Sequence, residues 1–144
     1  MSQQVVSYNK PDIAGEALAV NITASETTML EITDFKYTQK SQLTAYIDAA
    51  LGDHTSVQLR YYYGCGRLSS GNIVYYEIPV KNLSTGVMSD TPTVINSTSP
   101  FQTPNYRFIE DIPMSGADSF KITAKGIGGT SGTMNSVRIF VRDN

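Results

Sequence analysis

The side chains able to do nucleophilic or soft-metal chemistry are few: one cysteine, Cys65, and one histidine, His54. A thiolate–imidazole dyad needs both within hydrogen-bond reach and a third group to orient the base. His54 stands beside Asp53 and Thr55 in a stretch that reads as a turn, and Cys65 lies between Gly64 and Gly66 in another. Nothing in that spacing brings them together, and two such ligands cannot close a tetrahedral zinc site. Gly64-Cys65-Gly66 follows a strand-like run, as the glycines of a dinucleotide fingerprint do. A second strand-like run follows it, where that chemistry needs a helix N-terminus to receive the pyrophosphate. The run from Gly126 to Gly132 fails as a phosphate cradle for the same reason and lacks the Gly-Lys-Ser/Thr ending. Glu110 and Asp111 adjoin on a strand-like segment, so they point to opposite faces and form no facing carboxylate pair. Asp12, Asp34, Asp48 and Asp53 lack calcium-loop spacing. These residues read as those of a protein that is not an enzyme and uses no cofactor or metal.

The tyrosines carry more weight. Tyr61, Tyr62 and Tyr63 stand in one apolar segment, Tyr75 and Tyr76 in the next, and the chain has no tryptophan. Alternation places Tyr61 and Tyr63 on one face and Tyr62 on the other, and it divides Tyr75 from Tyr76. Such rings pack across strands in a core when the hydroxyl finds a partner, or they form a contact surface for protein or sugar. Val74 and Ile78 add apolar side chains to the second segment. A sheet in a two-layer protein turns only one face to the core, so aromatic side chains on both faces point to burial against another copy or another protein. Tyr62 and Tyr76 are the pair expected in that contact. The absence of tryptophan weighs against a sugar-stacking platform.

Positioning these residues falls to short strands. Apolar residues make up 40% of the 144 and charged residues only 17%, with serine and threonine filling the polar share. Threonine is β-branched and serine competes with helical hydrogen bonds, so this composition favours strands. Residues 1–16 are polar, with Pro11 and Gly15, and read as an N-terminal arm; residues 17–144 read as one β-sandwich domain. Leu18, Val20 and Ile22 alternate as a first strand, and Met29 to Tyr37 form a second. Leu43 to Leu51 fits a strand face (Leu43, Ala45, Ile47, Ala49, Leu51) and equally a helical stripe (Leu43, Tyr46, Ile47, Ala50, Leu51); the β surroundings favour the strand. Val57–Tyr63 and Ile73–Val80 flank a turn-rich stretch and should pair as a hairpin. Residues 82–105 hold three prolines and read as loop, with a short strand at Thr93–Ile95, and Tyr106–Ile112 forms another strand. Phe120–Lys125 and Val137–Arg142 alternate on either side of the glycine run and read as a closing hairpin. The sum is an antiparallel all-β sandwich of about eight strands, with a jelly roll the expected form.

Net charge is −2 with lysine and arginine scattered, so no footprint for nucleic acid is visible. A single cysteine excludes an intramolecular disulfide and favours assembly in a reducing cytoplasm. No signal-peptide pattern opens the sequence and no apolar run approaches membrane-spanning length, so neither secretion nor a membrane partner is expected.

The polar arm, the Ser/Thr-rich alternating strands and the ending Ser119-Phe-Lys-Ile-Thr-Ala-Lys-Gly-Ile-Gly-Gly-Thr-Ser-Gly132 resemble the jelly-roll proteins that decorate or cement the capsids of tailed bacteriophages. That resemblance implies a virion protein assembled in the host cytoplasm. Its partners would be the major capsid protein or other virion proteins, with copies joined in a homo-oligomer, a trimer by analogy. Tail, neck and fibre components share the style. A glycan-binding β-sandwich using exposed tyrosines is the expectation from another class.

Overall fold

Alternation with a period of two decides the architecture, because each strand has one apolar side to hide. The computed structural model describes residues 12–33, 42–78, 80–81, 88–89, 93–96, 106–113 and 117–142, and every regular element among them is a strand. In chain order they are β1 (Asp12–Ile22), β2 (Thr27–Ile32), β3 (Gln42–Ala50), β4 (Ser56–Gly64), β5 (Tyr75–Glu77), β6 (Val80–Lys81), β7 (Met88–Ser89), β8 (Thr93–Asn96), β9 (Tyr106–Pro113), β10 (Ser119–Ile127) and β11 (Gly132–Arg142).

One antiparallel sheet runs β1-β11-β3-β9 and the other β2-β10-β4, with β5 and β8 both against the outside of β4. β5 pairs with Tyr62–Gly64 and β8 with Ser56–Leu59, so they occupy two halves of one broken strand position. Counted that way there are eight positions, four per sheet. The first pairs with the last, the second with the second-last, the third with the sixth and the fourth with the fifth. A long antiparallel ribbon folded over itself in this order is a jelly roll. The short β6–β7 ladder leaves the broken position as a separate two-stranded excursion.

The core lies between the sheets. Val57, Leu59 and Tyr61 of β4 and Phe120, Ile122 and Ala124 of β10 face Leu43, Ala45, Ile47 and Ala49 of β3 and Val137 and Ile139 of β11, all buried. The segment that also fits a helical stripe is β3, a strand held by backbone ladders on both sides. Ala45 and Ala49 are inward residues with no exposure. Interior packing requires small volumes there, and that requirement outweighs alanine's helical preference.

Three expectations change. Phe120–Lys125 and Val137–Arg142 do not form a hairpin: β10 lies between β2 and β4, whereas β11 lies between β1 and β3 in the other sheet. The glycine run carries the chain from one sheet to the other. Two alternating segments joined by glycines look the same whether they pair or cross, because alternation reports a buried face and not the neighbour. Second, β1 begins at Asp12, so residues 12–16, expected in the arm, are already in the ladder with β11. Gly15 hides the pattern: a Cβ there would come within 2.6 Å of Ile32 Cδ1, so Ile32 fills the space an apolar side chain would have marked. Residues 1–11 lie outside the described residues. Third, Leu18 does not share a face with Val20 and Ile22. Ala19 adopts φ 54°, which breaks the pleat and leaves Leu18 exposed while Val20 and Ile22 turn inward. The second strand spans Thr27–Ile32, and residues 34–37 of its expected length lie outside the described residues.

Candidate functional site

The β4–β5 ladder sorts the five tyrosines. Tyr61 is buried and stacks on Phe120, with centroids 6.3 Å apart and planes 20° from parallel. Tyr63 is half-buried against the same core. Tyr76 is opposite Tyr63 in the ladder, yet at the rim of the sheet its ring stays exposed. Tyr62 is opposite Glu77, and Tyr75 opposite Gly64, on the outer face. Tyr62 and Tyr76 therefore do not share a face; the outward pair is Tyr62 and Tyr75.

That outer pair is engaged within the chain. The Tyr62 hydroxyl donates to Glu26 Oε2 at 2.8 Å and the Tyr75 hydroxyl donates to Glu31 Oε2 at 2.8 Å. Lys121 of β10 places its ammonium 4.9 Å from the Tyr62 centroid and 4.5 Å from that of Tyr75. Tyr75 reaches from β5 across β4 and β10 to β2. Gly64 lies beneath it; an added Cβ there would overlap Ile73 Cγ2 and only touch Tyr75 Cδ1, at 3.5 Å. Arg60 binds Glu77 at 2.6 Å and approaches Glu26 at 3.9 Å. Burial, then the Glu26 hydrogen bond, pushes the Tyr62 hydroxyl up to about 12. Burial and Glu31 push Tyr75 up further. Each bound carboxylate favours the protonated phenol. Opposite charges and ring faces are matched on this face, so its tyrosines strap the sheet from edge to edge.

The polar groups at one end of the sandwich are also committed. Asp53 accepts from Ser131 N (2.8 Å), Thr130 N (2.9 Å) and Thr130 Oγ1 (2.9 Å), and its own amide donates to Ser131 O at 3.1 Å. The backbone donors of Ser131 and then Thr130 hold its carboxyl below the usual carboxylate range. His54 is buried, with Nε2 at 3.0 Å from Ile22 O; a carbonyl only accepts, so Nε2 carries the proton. Its Nδ1 is buried without a hydrogen-bond partner among the described residues. The ring lies against the backbone of Gly126 and Gly132, and a Cβ on Gly129 would reach Asp53 O at 2.5 Å. The glycine run is thus a close-packed seat for residues 53–55, not a ligand cradle.

His54 precedes β4 and Cys65 follows it, so nine extended residues separate them. At ~3.3 Å per residue that is about 30 Å, and no dyad forms. Cys65 is exposed, in a loop tied by Gly66 N to both carboxylate oxygens of Asp118 (3.0 Å each), by Arg67 Nη1 to Gly71 O (2.9 Å) and by two Leu68 backbone bonds of 2.8 Å. Among the described residues no group of three or more His, Cys, Asp or Glu side chains could hold a metal ion. Among the described residues no helix is long and apolar enough to cross a membrane. Glu110 and Asp111 adjoin on β9, and their side chains lie outside the described set.

Sequence reasoning named Val74 and Tyr76 for a contact surface but missed Leu68 and Val94. Of five large apolar side chains exposed among the described residues, four fall on the β4–β5 loop and the broken strand: Leu68 (54%), Val74 (39%), Tyr76 (62%) and Val94 (44%). The fifth, Leu18, is on β1. Val94 and Tyr76 are far apart in sequence, and only the two ladders to β4 bring them to one edge.

The fold is an all-β sandwich of two antiparallel sheets, and no protein-family model or curated protein matches the chain. Among solved structures it is similar to the CBM22-1 xylan-binding domain of Paenibacillus barcinonensis Xyn10C, at 8% identity and TM-score 0.46, covering 96% of this chain and 99% of that one. It is similar to the VP2 subviral particle protein of infectious bursal disease virus at 14% identity and TM-score 0.32, covering 93% of this chain and 31% of that one. A carbohydrate-binding module of Cellvibrio mixtus lichenase 5A, solved with cellotriose, matches at 14% identity and TM-score 0.28, covering 90% and 91%. These values are too low for any ligand or role to follow, and the strand order above stands on the ladders alone.

Proposed function

We propose that this chain is a structural protein of a virus particle, a capsid decoration protein that stabilises the shell by binding across capsid subunits as a homo-oligomer. One observation supports this reading: many charged and phenolic groups are bonded within the chain while four large apolar side chains stand exposed along one edge. Asp53, Asp118, Glu26, Glu31, Glu77, Tyr62, Tyr75 and Lys121 are held by partners in the chain, whereas Leu68, Val74, Tyr76 and Val94 stand exposed on one edge. Binding only the assembled shell would stabilise that state by mass action. A tail, neck or fibre position fits the same surface.

Immunogold labelling of purified particles from the virus carrying this sequence, with mass spectrometry of their proteins, tests the proposal. Regular label on the head supports decoration, label on the tail moves the placement, and particles lacking the chain overturn the reading.

The glycan reading retains one favourable observation, two tyrosine rings lying outward among Arg60, Glu77 and Lys121. Saturable binding on a polysaccharide array, lost in Tyr62→Ala, would establish it in place of the assembly role.

A further inference from the structure

We infer that residues 65–77, the β4–β5 loop together with β5, form a flap that lifts from β4 as a unit, and that the bond between Tyr75 and Glu31 is its latch. The device operates within one copy of the chain and does not depend on the assembly role.

Burial sets the limits of the flap. No residue in 65–77 is buried, whereas Gly64 before it and Ile78 after it both are. Ile78 belongs to the core and donates its amide to Tyr61 O at 2.7 Å, and Gly64 O accepts from Asp118 N at 3.0 Å. Between these two anchors no apolar side chain is part of the core or packed on it. Lifting the segment therefore takes nothing out of the core, the condition under which part of a protein opens while the rest stays folded.

The loop also holds its own shape. Leu68 N donates to Asn72 O and Gly71 N to Leu68 O, at 2.8 Å each, and Arg67 Nη1 donates to Gly71 O at 2.9 Å. These bonds lie inside the flap and survive its movement, so it can move as one piece.

Three register pairs join β5 to β4: Tyr75 with Gly64, Tyr76 with Tyr63 and Glu77 with Tyr62. Polar groups add to that short ladder. Gly66 N donates to both carboxylate oxygens of Asp118 at 3.0 Å, and Arg60 binds Glu77 at 2.6 Å. The Tyr75 hydroxyl donates to Glu31 Oε2 at 2.8 Å, with the Lys121 ammonium 4.5 Å from its ring centroid. Of these groups Tyr75 reaches farthest, across β4 and β10 to β2, so β5 cannot lift without breaking its bond. Lifting bares an edge: residues 62–64 of β4 lose their partner while β8 still covers residues 56–59. Unpaired strand edges invite the addition of another strand, so the latch guards this half of β4.

Native-state hydrogen exchange of the full chain, read by mass spectrometry at rising sub-denaturing urea, tests this. Peptides covering residues 73–77 should exchange faster than those of β10. Their rates should change little with urea, because a small opening exposes little surface. Tyr75→Phe keeps the ring and removes the donor, and Glu31→Ala removes the acceptor. Each should speed exchange at residues 73–77 by about three- to tenfold, and the double variant by no more than the larger single effect. Tyr62→Phe removes the matching bond to Glu26, which joins no part of the flap, and should leave that exchange unchanged. Exchange at residues 73–77 that follows urea as steeply as β10 does would overturn the inference. So would no response to Tyr75→Phe, or an equal response to Tyr62→Phe.

Discussion

Replacing Gly126 with alanine isolates the contact that joins the two sheets at the glycine run. Gly126 pairs with Val57 in the β4–β10 ladder and donates its amide to Thr23 O at 2.8 Å. A Cβ there would overlap Cε1, Nε2 and Nδ1 of the His54 ring. The overlap is more than roughly 1 Å short of the ~3.5 Å at which carbon atoms rest. The ring cannot swing aside freely: it is buried, Nε2 is bonded to Ile22 O at 3.0 Å, and an added Cβ on Gly132 would already stand 3.0 Å from its Cδ2. Overpacking of this kind costs about 1–3 kcal/mol, and losing a buried hydrogen bond adds about 1 kcal/mol. Gly126→Ala should therefore destabilise by about 2–4 kcal/mol, a fall in melting temperature of roughly 6–12 °C for a chain this long. Urea unfolding followed by circular dichroism reads the loss directly. His54→Ala removes the obstacle, so the double variant should be more stable than the sum of single losses requires, with a coupling of at least ~1 kcal/mol. A Gly126→Ala cost below ~0.5 kcal/mol, or single effects that simply add, would refute the proposed contact.

Three further predictions concern titration and strain. The folded Tyr62 hydroxyl is raised to about 12, so its stabilising contribution is full below the unfolded value near 10 and lost as pH rises through about 12. A tyrosinate absorbance titration should show delayed ionisation that Tyr62→Phe removes; ionisation of all tyrosines together near pH 10 would contradict the Glu26 bond. Asp53 has a lowered folded value, so its contribution is present above its ordinary 3.8 and lost as pH falls through the folded value. Asp53→Asn should flatten the acid limb of the stability profile, and an unchanged limb would show that the Thr130 and Ser131 bonds contribute nothing there. Ala19→Gly relieves a left-handed alanine worth about 1 kcal/mol, offset by glycine's greater freedom when unfolded, and should raise stability by about 0.5 kcal/mol. A lower urea midpoint would show that the Ala19 methyl makes a contact that outweighs the strain.

Legibility in the sequence followed the range of the forces involved. Alternation in Val57–Tyr63 is local, and it identified β4 and the division of Tyr61 and Tyr63 from Tyr62, while the turn residues that follow indicated its pairing with β5. The short strand at Thr93 and the strand from Tyr106 were readable from the same period. The Tyr62 and Tyr76 pairing was not, because side-chain direction at a rim depends on where neighbouring strands end. Tyr76 has inward parity but no sheet beyond it to bury the ring.

Composition and period alone determined an all-β chain whose strands alternate between a buried and an outer face, since that property follows from residue type and from the two-residue pleat. Tertiary structure decided which strands are neighbours: β10 and β11 in different sheets, β5 and β8 sharing one edge. It also decided what the glycines at 126 and 132 are for, and where the outward tyrosines find partners. Each of these rests on contacts between residues distant in the chain, such as Tyr75 with Glu31, His54 with Ile22 and Asp53 with Ser131. Period-two alternation records that a face is buried, but it carries no information about what covers that face, and only the folded ladders supply it.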